Sequence, residues 1–355
     1  MSAKQFLGVA ALVALSTSTV HASWVVTNLH PGAATASGAY GAGGATQAGT
    51  VASGGILRAS HWSSSSGSWV DLHPGVASYS EAWGASATTQ VGYAHIGTTA
   101  HASLWSGSSA SWVSLHPGGP LIGTIAYGAS NVNQVGGAWG GGTVRASLWT
   151  GTAASWVSLN PGVASESIAY GTSGPQQVGY ATVGGVQQAS LWSGTAASWV
   201  NLHPGAATDS LANGVSGANQ VGRATVGGSS HASLWSGTAA SWVDLHPAGA
   251  TVSNAWGASG PYQVGGALFG GFQHAGLWTG SAASWVDLHA FLPASFTHSV
   301  ARAISTDGIN YYIAGSGRNT ANGRDEAVLW VQPVPAPGAA LLLGLGGLIA
   351  GRRRR

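Results

Sequence analysis

No cysteine occurs among the 355 residues, so no disulfide can brace this chain and sheet closure must supply its rigidity. Charge is scarce as well: Asp, Glu, Lys and Arg together make up 6 % of the sequence. Lys4 and Arg352 to Arg355 lie in terminal segments expected to be removed, which leaves six basic residues against nine acidic ones, about −3. No basic patch is left to hold nucleic acid. Helical apolar periodicity is missing from the repeats, and no Gly-x-Ser-x-Gly elbow, His-Glu-x-x-His pair or phosphate loop occurs. Glycine is abundant, at 57 residues, and 17 tryptophans argue against the disorder that low hydrophobicity would suggest.

What the sequence does have is one unit repeated almost throughout. The tryptophan of a Trp-Val dipeptide falls at 24, 69, 112, 156, 199, 242 and 285, a spacing of 43 to 45 residues. A second tryptophan closes an Ala-Ser-Leu-Trp run at 62, 105, 149, 192, 235 and 278, with Trp330 as a seventh. Gln-Val-Gly begins at Gln90, Gln134, Gln177, Gln220 and Gln263, with weaker copies at Gln47 and Ile313. A fixed period in this range marks a solenoid, a propeller or an array.

The inside of the unit decides among these. Four short strands fit each copy: Ser-x-Ala-x-Gly, Gln-Val-Gly-Tyr-Ala, Gln-Ala-Ser-Leu-Trp and Ser-Trp-Val-x-Leu, joined by turns rich in Gly, Ser and Thr. Successive antiparallel hairpins build propeller blades. The prediction is an all-β, seven-bladed β-propeller over residues 23–331. Its small-residue strand lies innermost, and Leu-His-Pro-Gly crosses to the next blade. The phase leaves residues 24–29 over at the start, so they should pair with 326–331 and close the ring.

Each periodic tryptophan can bury roughly 200 Å², worth about 5 kcal/mol at about 25 cal/mol/Å² as an upper bound, so blade packing accounts for them without a ligand. The histidines at 30, 73, 116, 203 and 246 share one slot with Asn160 and His289. Equivalent positions in separate blades lie too far apart to share one ion, and Asn160 points to a turn role. His95 and His101 can meet across a hairpin but lack a third ligand. No metal, cofactor or catalytic set is therefore expected. Asp71, Asp244 and Asp287 share a slot that drifts to Ser114, Ser158 and Asn201, as solvated surface does. The charges of the seventh repeat, Arg302, Asp307, Arg318, Arg324, Asp325 and Glu326, read as loop charges of a closing blade.

The candidate binding positions are the aromatics before the glycine of the innermost strand: Tyr40, Trp83, Tyr127, Tyr170 and Trp256, with Asn213 and Ile304 breaking the series. Such rings can stack on sugars or pack between blades.

The two ends address the chain. Residues 1–22 carry Lys4, an apolar run and a Val-His-Ala site, which reads as a secretory signal cut between Ala22 and Ser23. Residues 332–355 carry Val334, Pro335 and Pro337, an apolar run over 338–351, and Arg352, Arg353, Arg354 and Arg355. That run spans about 22 Å as a helix, short of the roughly 30 Å hydrocarbon core, so it is a marginal, transient anchor. The tail resembles the PEP-CTERM sorting signal of exported bacterial proteins, with Ala336 where that signal has glutamate. The resemblance implies an exosortase-type processing enzyme as partner, transient inner-membrane retention and then a cell-surface or matrix location in a bacterium that makes exopolysaccharide. The repeats are similar to the HAF family of extracellular repeats, most closely at His101 to Trp105 and His231 to Trp235. Together these features lead to the expectation of an exported, non-enzymatic structural or binding protein. The alternatives are a lectin-like propeller that binds exopolysaccharide and a loop-built polysaccharide hydrolase or lyase.

Overall fold

Local turn chemistry sets each blade. Paired glycines such as Gly184 and Gly185, at φ of 60° and 82°, form the middle hairpin that only residues tolerant of the left-handed region can make. The Ser-Gly-Thr-Ala-Ala-Ser stretch is a hydroxyl-latched turn: Ser193 N–H donates to Ser198 Oγ, whose hydroxyl donates to Thr195 O at 2.7 Å. Between these turns a buried glutamine acts as a clamp. Gln177 Oε1 accepts from Gly194 N–H at 2.7 Å, and its Nε2 donates to Pro175 O at 2.8 Å.

The computed structural model describes residues 24–334, and they form seven four-stranded antiparallel sheets arranged as a β-propeller. Blade four is representative, with strands Glu166–Ser173, Gln176–Val183, Val186–Trp192 and Val200–Asn201 from axis to rim. The outer strand is shorter than the sequence predicts. Ser198 ends a 3-10 turn with Trp199 as its cap, and only two residues pair. Trp199 instead turns its indole N–H onto Ser190 Oγ at 2.9 Å. Two-residue outer strands leave little open edge for other chains to extend.

All seven inner strands share a β-bulge at one level, between Ala39 and Gly41 in blade one and Ala169 and Gly171 in blade four, for example, and those of blades three and seven have a second irregularity, at Leu121/Gly123 and Phe296/His298. In six of the seven blades a glycine follows the shared bulge. A Cβ on Gly171 would stand 2.8 Å from Asn213 O of the next blade, and one on Gly179 would overlap Ile168 O.

Neighbouring blades are joined by two devices. The fully buried tryptophan of each third strand packs on the leucine of the preceding crossover, as Trp192 does with Leu159 and Trp235 with Leu202. A polar latch also recurs at all seven interfaces. An alanine N–H of one blade (Ala59, Ala102, Ala146, Ala189, Ala232, Ala275 or Ala327) donates to a Ser or Thr hydroxyl of the next at 2.8–3.0 Å. That hydroxyl also meets the crossover histidine or, in one case, Asn160.

Closure follows the predicted phase. Val25–Asn28 completes blade seven by pairing with Arg324–Pro333, Val25 opposite Val331 and Asn28 opposite Val328. Leu29 N–H then donates to Ala327 O at 2.9 Å. The signal over 1–22, Ser23, Pro335, Pro337 and Arg352 to Arg355 lie outside the described residues. Among the described residues no helix is long and apolar enough to cross a membrane.

Candidate functional site at the ring axis

A bulge adds one residue to the inner strand and turns its side chain away from the blade-to-blade packing. Seven bulges at one level therefore present a ring of side chains: Tyr40, Trp83, Tyr127, Tyr170, Asn213, Trp256 and Arg302. All seven line a chamber of about 260 Å³ at the axis, with the bulge glycines and small residues such as Ala42 and Thr172 beside them. The five aromatics singled out in the sequence are thus brought together. The seventh member is Arg302 and not Ile304, because the bulge of blade seven falls between Ala301 and Ala303. Counting three residues on from the latch hydroxyl gives the right position in every blade: Ser37 to Tyr40, Ser167 to Tyr170, Ser299 to Arg302.

The rings are not five separate stacking platforms. Tyr40 and Trp83 stack on one another with centroids 4.9 Å apart. Trp83 meets Tyr127 edge-on at 6.2 Å, and Tyr127 meets Tyr170 at 5.3 Å. One half of the wall, from blades one to four, is therefore a continuous aromatic surface. Burial raises the hydroxyl pKa of Tyr40, Tyr127 and Tyr170, so all three remain neutral hydrogen-bonding groups.

The other half is polar. Asn213 donates to Asn254 Oδ1 at 3.0 Å and to Ala255 O at 2.8 Å, which fixes its amide. The Arg302 guanidinium lies 4.5 Å over the Trp256 ring. Arg302 Nε and the indole N–H groups of Trp83 and Trp256 are buried without a hydrogen-bond partner. Burial lowers the Arg302 pKa from its usual value, and the group still carries its charge at neutral pH. The lining has aromatic faces and hydrogen-bond donors, with no carboxylate or imidazole among them. Such a lining can stack on a ring and donate hydrogen bonds.

The histidines take the structural role that Asn160 suggested. His30 Nε2 and His246 Nε2 face the carbonyl oxygens of Ala34 and Ala250, so those nitrogens carry the proton and Nδ1 accepts from the latch serine. Asn160 reproduces both bonds, accepting from Ser167 Oγ at 2.6 Å and donating to Ala164 O at 3.3 Å. His95 and His101 face opposite sides of their hairpin: His95 stacks on Tyr79 and His101 on His116. Among the described residues no group of three or more His, Asp or Glu could hold a metal ion. Asp71 and Asp244 contact Arg58 and His231 at the surface, away from the chamber.

The charges of the seventh repeat are not all loop charges, contrary to expectation. Glu326 is 1 % exposed and accepts from Asn28, Asn319, Asn322 and Arg324 at 2.6–3.0 Å. Arg302 stands in the chamber. Sequence reasoning treated both as incidental because each occurs once, and a repeat-based reading discounts what does not recur.

No protein-family model matches the chain, and neither does any curated protein. Among solved structures it is similar to a puromycin hydrolase, at 11 % identity and a TM-score of 0.53, over 82 % of this chain and 53 % of that one. It is also similar to the acylaminoacyl peptidase of Pyrococcus horikoshii, at 8 % identity and a TM-score of 0.53, over 88 % of this chain and 55 % of that one. The chain spans about half the length of each, and at these identities the likeness concerns the fold. The expectation of a non-catalytic structural or binding protein is contradicted by the likeness to these two proteins, both named as hydrolytic enzymes. The physical reason is plain. Scarce acids and absent motifs speak only to familiar local catalytic sets, and a site assembled from several blades leaves no such local signature.

Proposed function

We propose that this propeller is a substrate-recognition ring serving hydrolysis of peptide-like molecules, and that its axial chamber takes up the ring-bearing end of such a molecule. The observation that carries the reading is the split wall: a continuous aromatic half from Tyr40 to Tyr170 facing a donor-bearing half at Asn213, Trp256 and Arg302. A sugar carries hydroxyls all round its ring, which a wall split into an aromatic half and a polar half suits less well. An aromatic or apolar side chain beside a polar backbone matches both halves. The likeness to enzymes named for hydrolysing puromycin and acylaminoacyl peptides supports testing that class first.

The test is calorimetric titration of the purified ring with dipeptides ending in Tyr or Phe, followed by Trp83→Ala and Tyr127→Ala. Binding of the dipeptides that weakens roughly tenfold or more in either variant is expected, as truncating a buried aromatic contact costs about 1–3 kcal/mol. Binding of neutral oligosaccharides with no response to dipeptides would overturn the reading.

Export is a second part of the proposal and rests on the two ends of the sequence, through the PEP-CTERM-like tail and the signal-like start. Mass spectrometry of the protein from a cell envelope fraction tests it. An intact Met1 to Arg355 chain in the cytoplasm would sink it.

A further inference from the structure

We infer that Arg302 forms an anion subsite inside the axial chamber and selects ligands that carry a carboxylate beside their ring. This rests on reading the chamber as the binding site. Among the chamber's lining residues Arg302 is the one charged side chain. No Asp or Glu of the described residues pairs with it, whereas Arg58, Arg223, Arg318 and Arg324 each have a carboxylate within 4.0 Å, and Arg145, which has none, donates to Gly140 O at 3.1 Å. Its Nε has no hydrogen-bond partner either.

A half-buried cation without a counter-charge is costly, and an entering anion lessens that cost while forming charge-assisted hydrogen bonds. Guanidinium also has the planar, forked geometry that meets a carboxylate with two parallel bonds. Trp256 covers the group from one side, with Cζ 4.5 Å from the ring centroid, which limits how it can turn. The six equivalent positions are aromatic or, at Asn213, neutral, so one direction around the ring is marked by charge. A ligand that lays its ring on the Tyr40 to Tyr170 wall would then place its carboxylate on blade seven.

Two sources share this chemistry, the C-terminal carboxylate of an aromatic peptide and the carboxylate of an acidic sugar. The experiment titrates the protein with N-acetyl-L-tyrosine and its neutral amide, and in parallel with glucuronate and glucose. The same series is repeated on Arg302→Gln and Arg302→Lys, each checked for folding by circular dichroism. The expected result is that N-acetyl-L-tyrosine binds roughly tenfold or more tightly than its amide, as hydrogen bonds to charged groups warrant. That preference should vanish in Arg302→Gln and persist in part in Arg302→Lys. Equal binding of acid and amide, or a preference unchanged in Arg302→Gln, overturns the subsite and leaves the chamber as a binding site. An Arg302-dependent preference seen with glucuronate only supports the subsite and overturns the peptide reading. If none of the four binds, the chamber reading fails and the subsite with it. If Arg302→Gln does not fold, the acid-to-amide ratio of the unaltered protein, which should shrink on adding salt, still decides.

Discussion

Blades one to six and blade seven use the same geometry with different chemistry. In the six, one hydroxyl, one imidazole or amide and one leucine–tryptophan contact are repeated with little change, and drift elsewhere is tolerated. Blade seven keeps the latch through Ser299 and His289 but adds groups found nowhere else. Glu326 gathers four donors, Arg302 enters the chamber, and Ala303 stands where the other blades have the bulge glycine. Trp330 donates its indole N–H to Leu288 O at 3.0 Å, while its six counterparts are buried without a partner. The comparison teaches that repetition builds the ring, while its closure and its asymmetric chemistry both depend on the copy that departs from the pattern.

The sharpest way to break this comparison is at Glu326. Burial alone would raise its carboxyl pKa, but hydrogen bonds from Asn319, Arg324, Asn322 and Asn28 outweigh burial and hold it at about 2. Glu326→Ala leaves those donors unpartnered at the seam where the chain's first strand meets its last. We expect a loss of about 3–5 kcal/mol in urea denaturation, the range for removing one partner of a buried charged network. Its folded pKa lies below the ordinary 4.5, so its contribution is complete above 4.5 and is lost as pH falls toward about 2. Stability of the unaltered protein should therefore drop through that window, and stability of the Glu326→Ala variant should drop less. A variant as stable as its parent at neutral pH would show that closure does not depend on this cluster.

A second, smaller effect compares bulges. Gly171→Ala would press a Cβ to 2.8 Å from Asn213 O, and overpacking of this kind costs about 1–3 kcal/mol. The mirror substitution, Ala303→Gly, removes a Cβ that blade seven already accommodates. It should cost about 1 kcal/mol or less, mostly through chain entropy. Equal losses in thermal denaturation would mean that the inner strands are spaced alike all round the ring, against the difference drawn above.

Much of the fold was legible in the sequence because each landmark occurs about seven times. The count, the four strands and the pairing of residues 24–29 with the last strand followed from spacing and phase. The length of the outer strand did not, because Ser198 and its equivalents bond back to Thr195 O and tie the residues before Val200 into a turn. The candidate site was half legible. Tyr40, Trp83, Tyr127, Tyr170 and Trp256 were found as a series, and the bulge then sent them to one place. Their mutual stacking depends on the distance between blades, which no spacing along the chain states. Arg302 was missed because the series was followed by the glycine after it, and Ala303 has replaced that glycine. The latch serine, three residues before, would have located it.

The smallest expected effect concerns the latches and tests whether the histidines do more than shape crossovers. Asn160 already makes the bonds of a neutral histidine protonated on Nε2, so His203→Asn should change stability by no more than about 0.5 kcal/mol. His203→Ala, which strands the hydroxyl of Ser210, should cost about 1 kcal/mol. Burial lowers the pKa of His30, His73, His116 and His289 below the ordinary 6.5, helped at His30 by the nearby Arg324 charge. A histidine that resists protonation when folded contributes fully above 6.5 and progressively less as pH falls through its lowered folded value. Replacing those four by Asn should flatten the urea midpoint between pH 7.5 and pH 5, while the fall attributed to Glu326 at lower pH stays in place. An unchanged slope between pH 7.5 and pH 5 would mean that the crossover imidazoles do not titrate differently in the ring and in the unfolded chain, and the latch would then be reduced to its alanine–hydroxyl bond.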